Sequence, residues 1–220
     1  MTPLLTLSVD AATYVGTIAL VSGPSVLAEE QVEMRSAAGE QLLPGIRQVL
    51  DAAGVTVHEL QRVACGSGPG SFTSLRIAAS TAKGLAAARS LPLVAVSSLA
   101  LMAATTRAPG RYLTVLDAMR GDWFAAAYDV RADGGMATLV AASLRSRDAV
   151  EDLAASLNAR LIGPREEQVA HPHARAFARL DSLASFVSPV DLETWEPDYG
   201  RHAEAQVRWE RAHGRPLHAS

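Results

Sequence analysis

Cysteine and lysine each occur once in these 220 residues, as Cys65 and Lys83, and each scarcity excludes chemistry. A single cysteine rules out an internal disulfide and any all-cysteine zinc site, and it fits a reducing compartment. A single lysine means that a Schiff base or a phosphate-gripping ammonium can come only from position 83. Aromatic residues make up 5% of the chain against 49% hydrophobic residues overall, so the core has to be built from Ala, Leu and Val with close helix contacts. An excess of positive charge is missing too. The formal charge of −3 argues against a chain that grips nucleic acid alone, because neutralising phosphates takes a dense Lys/Arg surface. Long apolar runs are absent as well: residues 91–104 are interrupted by Pro92, Ser97 and Ser98, and the opening residues lack a basic start and stop at Asp10. The expectation is a cytoplasmic protein with no membrane contact, folded as one large domain or two compact halves.

Residues 4–10 and 14–20 are short β-rich runs, and 26–32 supply a third after the Gly23-Pro24 turn signal, which makes a three-strand meander. Leu42, Ile46, Val49 and Ala53 then recur at helical spacing, with Gly54 as a stop, and predict a helix over 37–53. A strand over 62–66 runs into a Gly/Pro-dense turn, a helix over 72–89 follows from Ser71 or Thr73, and 93–96 form another strand. The order β-β-β-α-β-α-β is that of a ribonuclease-H-like half. A related order starts again with strands over 112–116, 123–130 and 137–141, a helix capped by Ser146 to about 157, and a strand at 161–162. The second half reads as a degraded duplication. Residues 163–188 carry no assignable period, and Glu204 with Arg208 suggests a last helix closed by Gly214 and Pro216. The expected division is a first lobe over 1–98 carrying the two helices and a reduced second lobe over 99–220.

The segment Gly66-Ser67-Gly68-Pro69-Gly70-Ser71-Phe72-Thr73-Ser74-Leu75-Arg76-Ile77 joins a strand to a helix. Its glycines permit positive φ angles, and a helix start can receive an anion. Pro69 has no N–H to offer, however, the Gly-Lys-Ser/Thr ending of a nucleotide loop is missing, and Lys83 lies three turns into the helix. Gly66, Gly68, Gly70 and Ser71 therefore stand either as a structural turn or as a nucleotide contact. On the helix, Leu75, Ala79, Ala82 and Ala86 line one face, Ile77, Thr81, Gly84 and Ala88 lie nearly opposite, and Arg76 and Lys83 share the polar strip. Both faces suit close packing, and the sequence does not rank them.

Other chemistry is weaker. Asp10, Asp117 and Asp122 are candidates for holding Mg²⁺ and phosphates in an ATP-using enzyme, against the commoner role of Asp in turns. The six histidines, His58, His171, His173, His202, His213 and His218, form neither H-x-x-x-H nor H-E-x-x-H, which disfavours a metallopeptidase. Ser71 and Ser74 lack a G-x-S-x-G setting, and Cys65 reads as a small buried residue.

The run from Gly66 to Leu85, G-S-G-P-G-S-F-T-S-L-R-I-A-A-S-T-A-K-G-L, resembles the signature of the TsaB (YeaZ) family. Similar stretches extend along the chain: Leu7-Ser8-Val9-Asp10-Ala11, Glu40-Gln41-Leu42-Leu43-Pro44, Val96-Ser97-Ser98-Leu99, Asp117-Ala118-Met119-Arg120-Gly121-Asp122 and Glu196-Pro197-Asp198-Tyr199-Gly200-Arg201. The resemblance implies an α/β, ASKHA-type fold of two ribonuclease-H-like lobes. It implies a non-catalytic scaffold or activator that pairs with the TsaD threonylcarbamoyltransferase. A TsaE-type ATPase joins the complex, TsaC makes the threonylcarbamoyl-adenylate donor, and the product is threonylcarbamoyladenosine in tRNA. ATP and metal would act through the partners, tRNA would be contacted indirectly, and the chain alone would pair with itself through the same helices. On this reading the partner interface comprises Leu42, Ile46, Val49, Leu75, Arg76, Ala79, Ala82, Lys83 and Ala86. The chain departs from the family pattern at Ala12, in place of a hydroxyl residue, at Ser74, in place of Gly, and at Gly200, in place of Leu, a change expected to loosen a C-terminal contact. The rival readings are an ATP-binding enzyme of the same superfold and a glycoprotease-like metallopeptidase.

Overall fold

A computed structural model describes residues 3–35 and 41–200. The expected helix start over 37–40, the C-terminal helix around Glu204 and Arg208, and His202, His213 and His218 lie outside the described residues.

The first sheet opens as an antiparallel meander of β1 (Leu5–Asp10), β2 (Val15–Ser22) and β3 (Ser25–Glu33). Helix α1 (Leu42–Ala52) leads to β4 (Arg62–Gly66), which pairs parallel with β1, and α2 (Phe72–Arg89) leads to β5 (Leu93–Val96), parallel with β4. Alternate residues of β1, β2 and β4, namely Leu7, Val9, Ile18, Leu20, Val63 and Cys65, face α1 and α2 and form one core with Leu42, Ile46, Val49, Ala78, Ala82 and Ala86. The two-residue period of the strands sends Ala19, Val21 and Ala64 to the other side.

That other side packs on α3 (Ser98–Ala104), a helix absent from the sequence expectation. Residues 98–104 of α3 are all buried, at most 3% exposed. A helix that is apolar all round has no amphipathic period, and so its sequence gave no signal. Beyond it lies a second sheet with the wiring of the first. β6 (Gly110–Asp117), β7 (Asp122–Val130) and β8 (Met136–Ser146) form the antiparallel meander. Helix α4 (Arg147–Leu157) leads to β9 (Arg160–Gly163), parallel with β6, and to the two-residue β10 (Gln168–Val169). Among the described residues no long helix stands between β9 and β10, where α2 stands between β4 and β5 of the first sheet. The outer face of the second sheet packs on α4 through Leu113, Val115, Ala125, Ala127 and Val150.

The layers thus run α1 and α2, first sheet, α3, second sheet, α4, an α/β fold with two mixed sheets of matching order. Residues 174–180, a 3-10 turn running into the short helix α5 (Phe177–Leu180), share the middle layer, where the Arg62 guanidinium bonds Asp181 at 2.6 Å. The chain then returns to the first sheet, because β11 (Ser188–Pro189) pairs with β5.

Candidate functional site: the glycine turn and the second helix

β4 ends at Gly66, and the chain turns through Gly66–Ser71 before α2 begins at Phe72. The turn is stitched to three other segments. Ser67 N–H donates to Val96 O (2.8 Å), Gly68 N–H to Ser98 Oγ (3.1 Å) and Ser71 N–H to Ala12 O (2.8 Å), while Ser98 N–H donates to Gly68 O (2.9 Å). Three backbone donors that a phosphate cradle would need are therefore already committed within the chain. Space is committed as well: a side chain at Gly66 would meet the Asp10 carboxylate, and one at Gly70 would meet the Ala12 backbone. Gly68, at φ +87°, needs glycine for its backbone conformation, and a Cβ there would meet Asp198 O.

Asp10 lies beneath this turn, 1% exposed. It accepts from Ser98 Oγ at 2.5 Å and from Ala12 N–H at 3.0 Å. Burial pushes its pKa above the usual carboxylate range, against the smaller lowering effect of these two donors. A carboxylate held so is a fastening for the turn rather than an open ligand for a cation. Asp117 is equally engaged, with Oδ1 accepting from Met119 N–H and Oδ2 paired with Arg165 at 2.6 Å. Burial pushes the Cys65 thiol up, which leaves it unreactive. His173 is buried, accepts from Arg175 N–H through Nδ1, and has Nε2 3.1 Å from the Gln31 amide nitrogen. Desolvation pulls its pKa down. Among the described residues no three His, Cys, Asp or Glu side chains gather as a metal site.

A strap over 190–200 crosses the front of α2. Val190 N–H donates to Leu93 O, Trp195 packs against the α1/α2 core, and Asp198 N–H donates to Ser67 O (2.8 Å). Lys83, the chain's lone lysine, donates to Trp195 O at 2.9 Å and approaches Glu196 at 3.9 Å. Tyr199 lies on Phe72 with ring centroids 4.5 Å apart. Gly200, at φ +68°, runs so close to Phe124 of the second sheet that a Cβ would collide with its ring. The expectation that Gly200 loosens this contact is therefore corrected: glycine is what lets the strap bridge the two sheets. Ser74 is buried, with its hydroxyl 3.1 Å from that of Ser71, so Ser71 opens the helix without a side-chain cap on its N–H groups.

The structure ranks the two helix faces that the sequence left equal. Leu42, Ile46, Val49, Leu75, Ala79, Ala82 and Ala86 are all buried by this chain's own sheet, helices and strap, at most 4% exposed, and cannot form a partner surface. Their assignment to the interface is corrected. Arg76 of that set is exposed, and Lys83 serves the strap. The open arc of α2 consists of Thr73, Arg76, Ser80, Gly84, Ala87 and Ala88, and a Cβ on Gly84 would meet nothing within 4 Å.

Residues 33–187 match the family model TsaD, described as tRNA N6-adenosine threonylcarbamoyltransferase. The chain is 26% identical to the tRNA threonylcarbamoyladenosine biosynthesis protein TsaB of Bacillus subtilis, over 92% of this chain and 96% of that protein. It is 34% identical to TsaB of Escherichia coli over a stretch spanning 56% of this chain and 54% of that protein, about half of its length. A solved Pseudomonas aeruginosa structure, described as an uncharacterized protein similar to the peptidase YeaZ, superposes with a TM-score of 0.75 at 28% identity, over 90% of this chain and all of that one. YeaZ of the same organism gives 0.71 at 26%. The chain belongs to the TsaB/YeaZ family. The segments that make this sequence resemble TsaB/YeaZ, the glycine turn and α2, are fastened to the rest of the chain on one side and left open on the other. Sequence reasoning missed the strap's contacts with Lys83 because they join residues 112 positions apart.

Proposed function

We propose that this chain is a non-catalytic partner subunit in tRNA threonylcarbamoyladenosine formation, docking a TsaD-type paralogue through the open arc of α2. The observation that carries this reading is the contrast on one element: the turn that would hold a phosphate is closed by the chain's own atoms, while the helix it launches presents a stripe of small residues to solvent. Small side chains let a second helix approach closely, and the paralogue brings a related pair of helices. The finer assignments belong to the same proposal. The two sheets are the lobes of an ASKHA, ribonuclease-H-like duplication, the first over 1–98 and the second over 99–220, with 188–200 returning to the first sheet. ATP and metal are used by the partner subunits, a TsaE-type ATPase joins the pair, tRNA is met through the complex, and the chain alone pairs with itself through the α2 arc. Docking stabilises one arrangement of the paralogue, a contribution of binding rather than chemistry.

The test is Gly84→Arg, which adds a long side chain where the chain itself has open space. The variant is expected to fold as the parent does and to lose copurification with the TsaD-type paralogue, together with modified adenosine in cells that depend on it. Retained copurification and retained modification would refute the α2 arc as the contact.

A further inference from the structure

After β10 the chain crosses back to the first sheet, and successive residues fasten it there. Ala174 N–H donates to Thr17 Oγ1 of β2 at 2.9 Å, and Arg175 pairs with Glu29 of β3 at 3.0 Å. His173, 6% exposed, accepts from Arg175 N–H through Nδ1 at 3.3 Å and so caps the 3-10 turn over 174–176. A lone pair on Nδ1 puts the proton of the neutral ring on Nε2. At 3.1 Å it is then the oxygen of the Gln31 amide, exchanged in place with its nitrogen, that accepts this proton. An imidazolium carries a proton on both nitrogens. Its Nδ1–H would oppose the Arg175 N–H, donor against donor, and the turn would lose its cap. A cavity of about 350 Å³ adjoins the ring, lined by Val15, Thr17, Gln31, Thr105 and residues 169–171, with exposed Val15 and Val169 among them. It gives a displaced, charged ring room and a route to water.

Little surrounds His173 that would hold its charge. From β3 Glu29 faces it but is engaged by Arg175, while Glu30 turns to the α1 side. β2 and the end of α3 contribute only the neutral Val15, Thr17 and Thr105. Its own segment adds Arg175 and His171, which oppose a further positive charge. Burial first, and then these two groups, hold the pKa of His173 below the ordinary histidine value against the smaller opposing pull of Glu29.

We propose that His173 is a proton-operated latch: its neutral ring fastens residues 171–176 to β2 and β3, and its protonation releases that segment locally while the two sheets stay folded. The latch lies on the face of the first sheet away from α1 and α2, and the inference does not rest on the function proposed above. The closed latch binds the proton more weakly than the open one. Its fastening is therefore complete above about pH 6.5 and is lost as pH falls, with the opening constant rising by at most about ten-fold per pH unit until the closed ring itself titrates.

The experiment follows the full chain by NMR between about pH 7.5 and pH 5.5. Amide exchange, corrected for its intrinsic pH dependence, gives the opening constants. Those of Ala174 and Arg175 should rise about three- to ten-fold on acidification and should exceed those of β6 and β7, which open only with the whole fold. The His173 ring should titrate below that of exposed His171. In His173→Gln, which keeps an acceptor for the Arg175 N–H and takes no proton, the rise should vanish, and in His171→Gln it should remain. Opening of 174–175 only together with β6 and β7 would reduce His173 to a term in global stability and overturn the latch. So would opening of the wild-type segment that ignores pH, a His173 ring titrating at or above His171, a rise that survives His173→Gln, or one abolished by His171→Gln. The wild-type measurements decide the question even where His173→Gln does not fold.

Discussion

Two substitutions two residues apart on α2 should have opposite effects on stability if the structure has ranked its faces correctly. Ala82 is fully buried, in a core shared with Leu42, Ile46, Val63, Cys65, Ala78 and Ala86. Ala82→Leu inserts three carbons where neighbours already touch, and overpacking of this kind costs about 1–3 kcal/mol. Gly84 lies on the open arc, where a methyl group meets nothing within 4 Å. Gly84→Ala removes the backbone entropy cost of glycine inside a helix and should stabilise the chain by roughly 0.5–1 kcal/mol. For a chain of this size a change of 1 kcal/mol moves the melting temperature by about 2–4 °C. Ala82→Leu should therefore lower Tm by roughly 2–12 °C and Gly84→Ala raise it by roughly 1–4 °C, in melts of the isolated chain read by circular dichroism. An unchanged Tm for Ala82→Leu would mean that the α2 core is not packed as described. A lowered Tm for Gly84→Ala would mean that position 84 is occupied, and the reasoning that makes this arc the docking surface would fall with it.

Asp10→Asn keeps an oxygen for the Ala12 N–H and removes a carboxyl group that burial holds above its ordinary pKa. Because the raised group binds its proton more tightly when folded, it favours folding below its unfolded pKa, and that favour is lost as pH rises through the folded value. Relative to wild type, the variant should gain stability as pH rises from about 4 upward, read as the urea midpoint of the variant minus that of wild type; a difference that falls with rising pH would contradict the assignment. Lys83→Met should free the strap from α2 while keeping an apolar stem beside it, costing about 1.5 kcal/mol for a charge-assisted hydrogen bond. Limited proteolysis should then cut within 190–200 sooner than in wild type, and equal cutting rates would count against Lys83 as the strap's anchor.

The bounds of β4, α2 and β5 were legible because each is bracketed by residues with one local meaning: the glycine turn before Phe72, Pro92 before Leu93. The meander and the repeat of its wiring after Gly110 were legible from strand alternation and turn residues. What stayed hidden was set by tertiary contacts. α3 has no polar face to mark a period, and β10 and β11 exist only because β9 and β5 offer edges to two residues each. The α2 faces were ambiguous for a related reason: alanine and glycine satisfy burial and close approach equally, so composition alone does not say which side meets the sheet. The choice of Ala82 and Ala86 as the docking face failed on that point, and the strap, which meets α2 at Lys83 and Phe72, could not be placed from local pattern.

The contacts around the glycine turn also account for why an unreactive turn is so glycine-rich. A phosphate-binding loop needs glycine so that a ligand can come close to the backbone. Here the close approaches are filled by the chain itself: Asp10 against Gly66, the Asp198 carbonyl against Gly68, Ala12 against Gly70. The turn thereby ties the end of β1, the start of α3 and the strap to the first residue of α2, four segments from both halves of the sequence joined within six residues. Any shift between the sheets must move α2 through these fastenings, since α3 and the strap each touch both. An arc of small residues on a helix held this way offers a partner a surface with little side-chain freedom to lose on docking, because Gly84, Ala87 and Ala88 have no rotamers to freeze. The same feature makes the contact sensitive to any added bulk, and for that reason a single side chain at position 84, rather than a broad set of substitutions, is enough to decide the question.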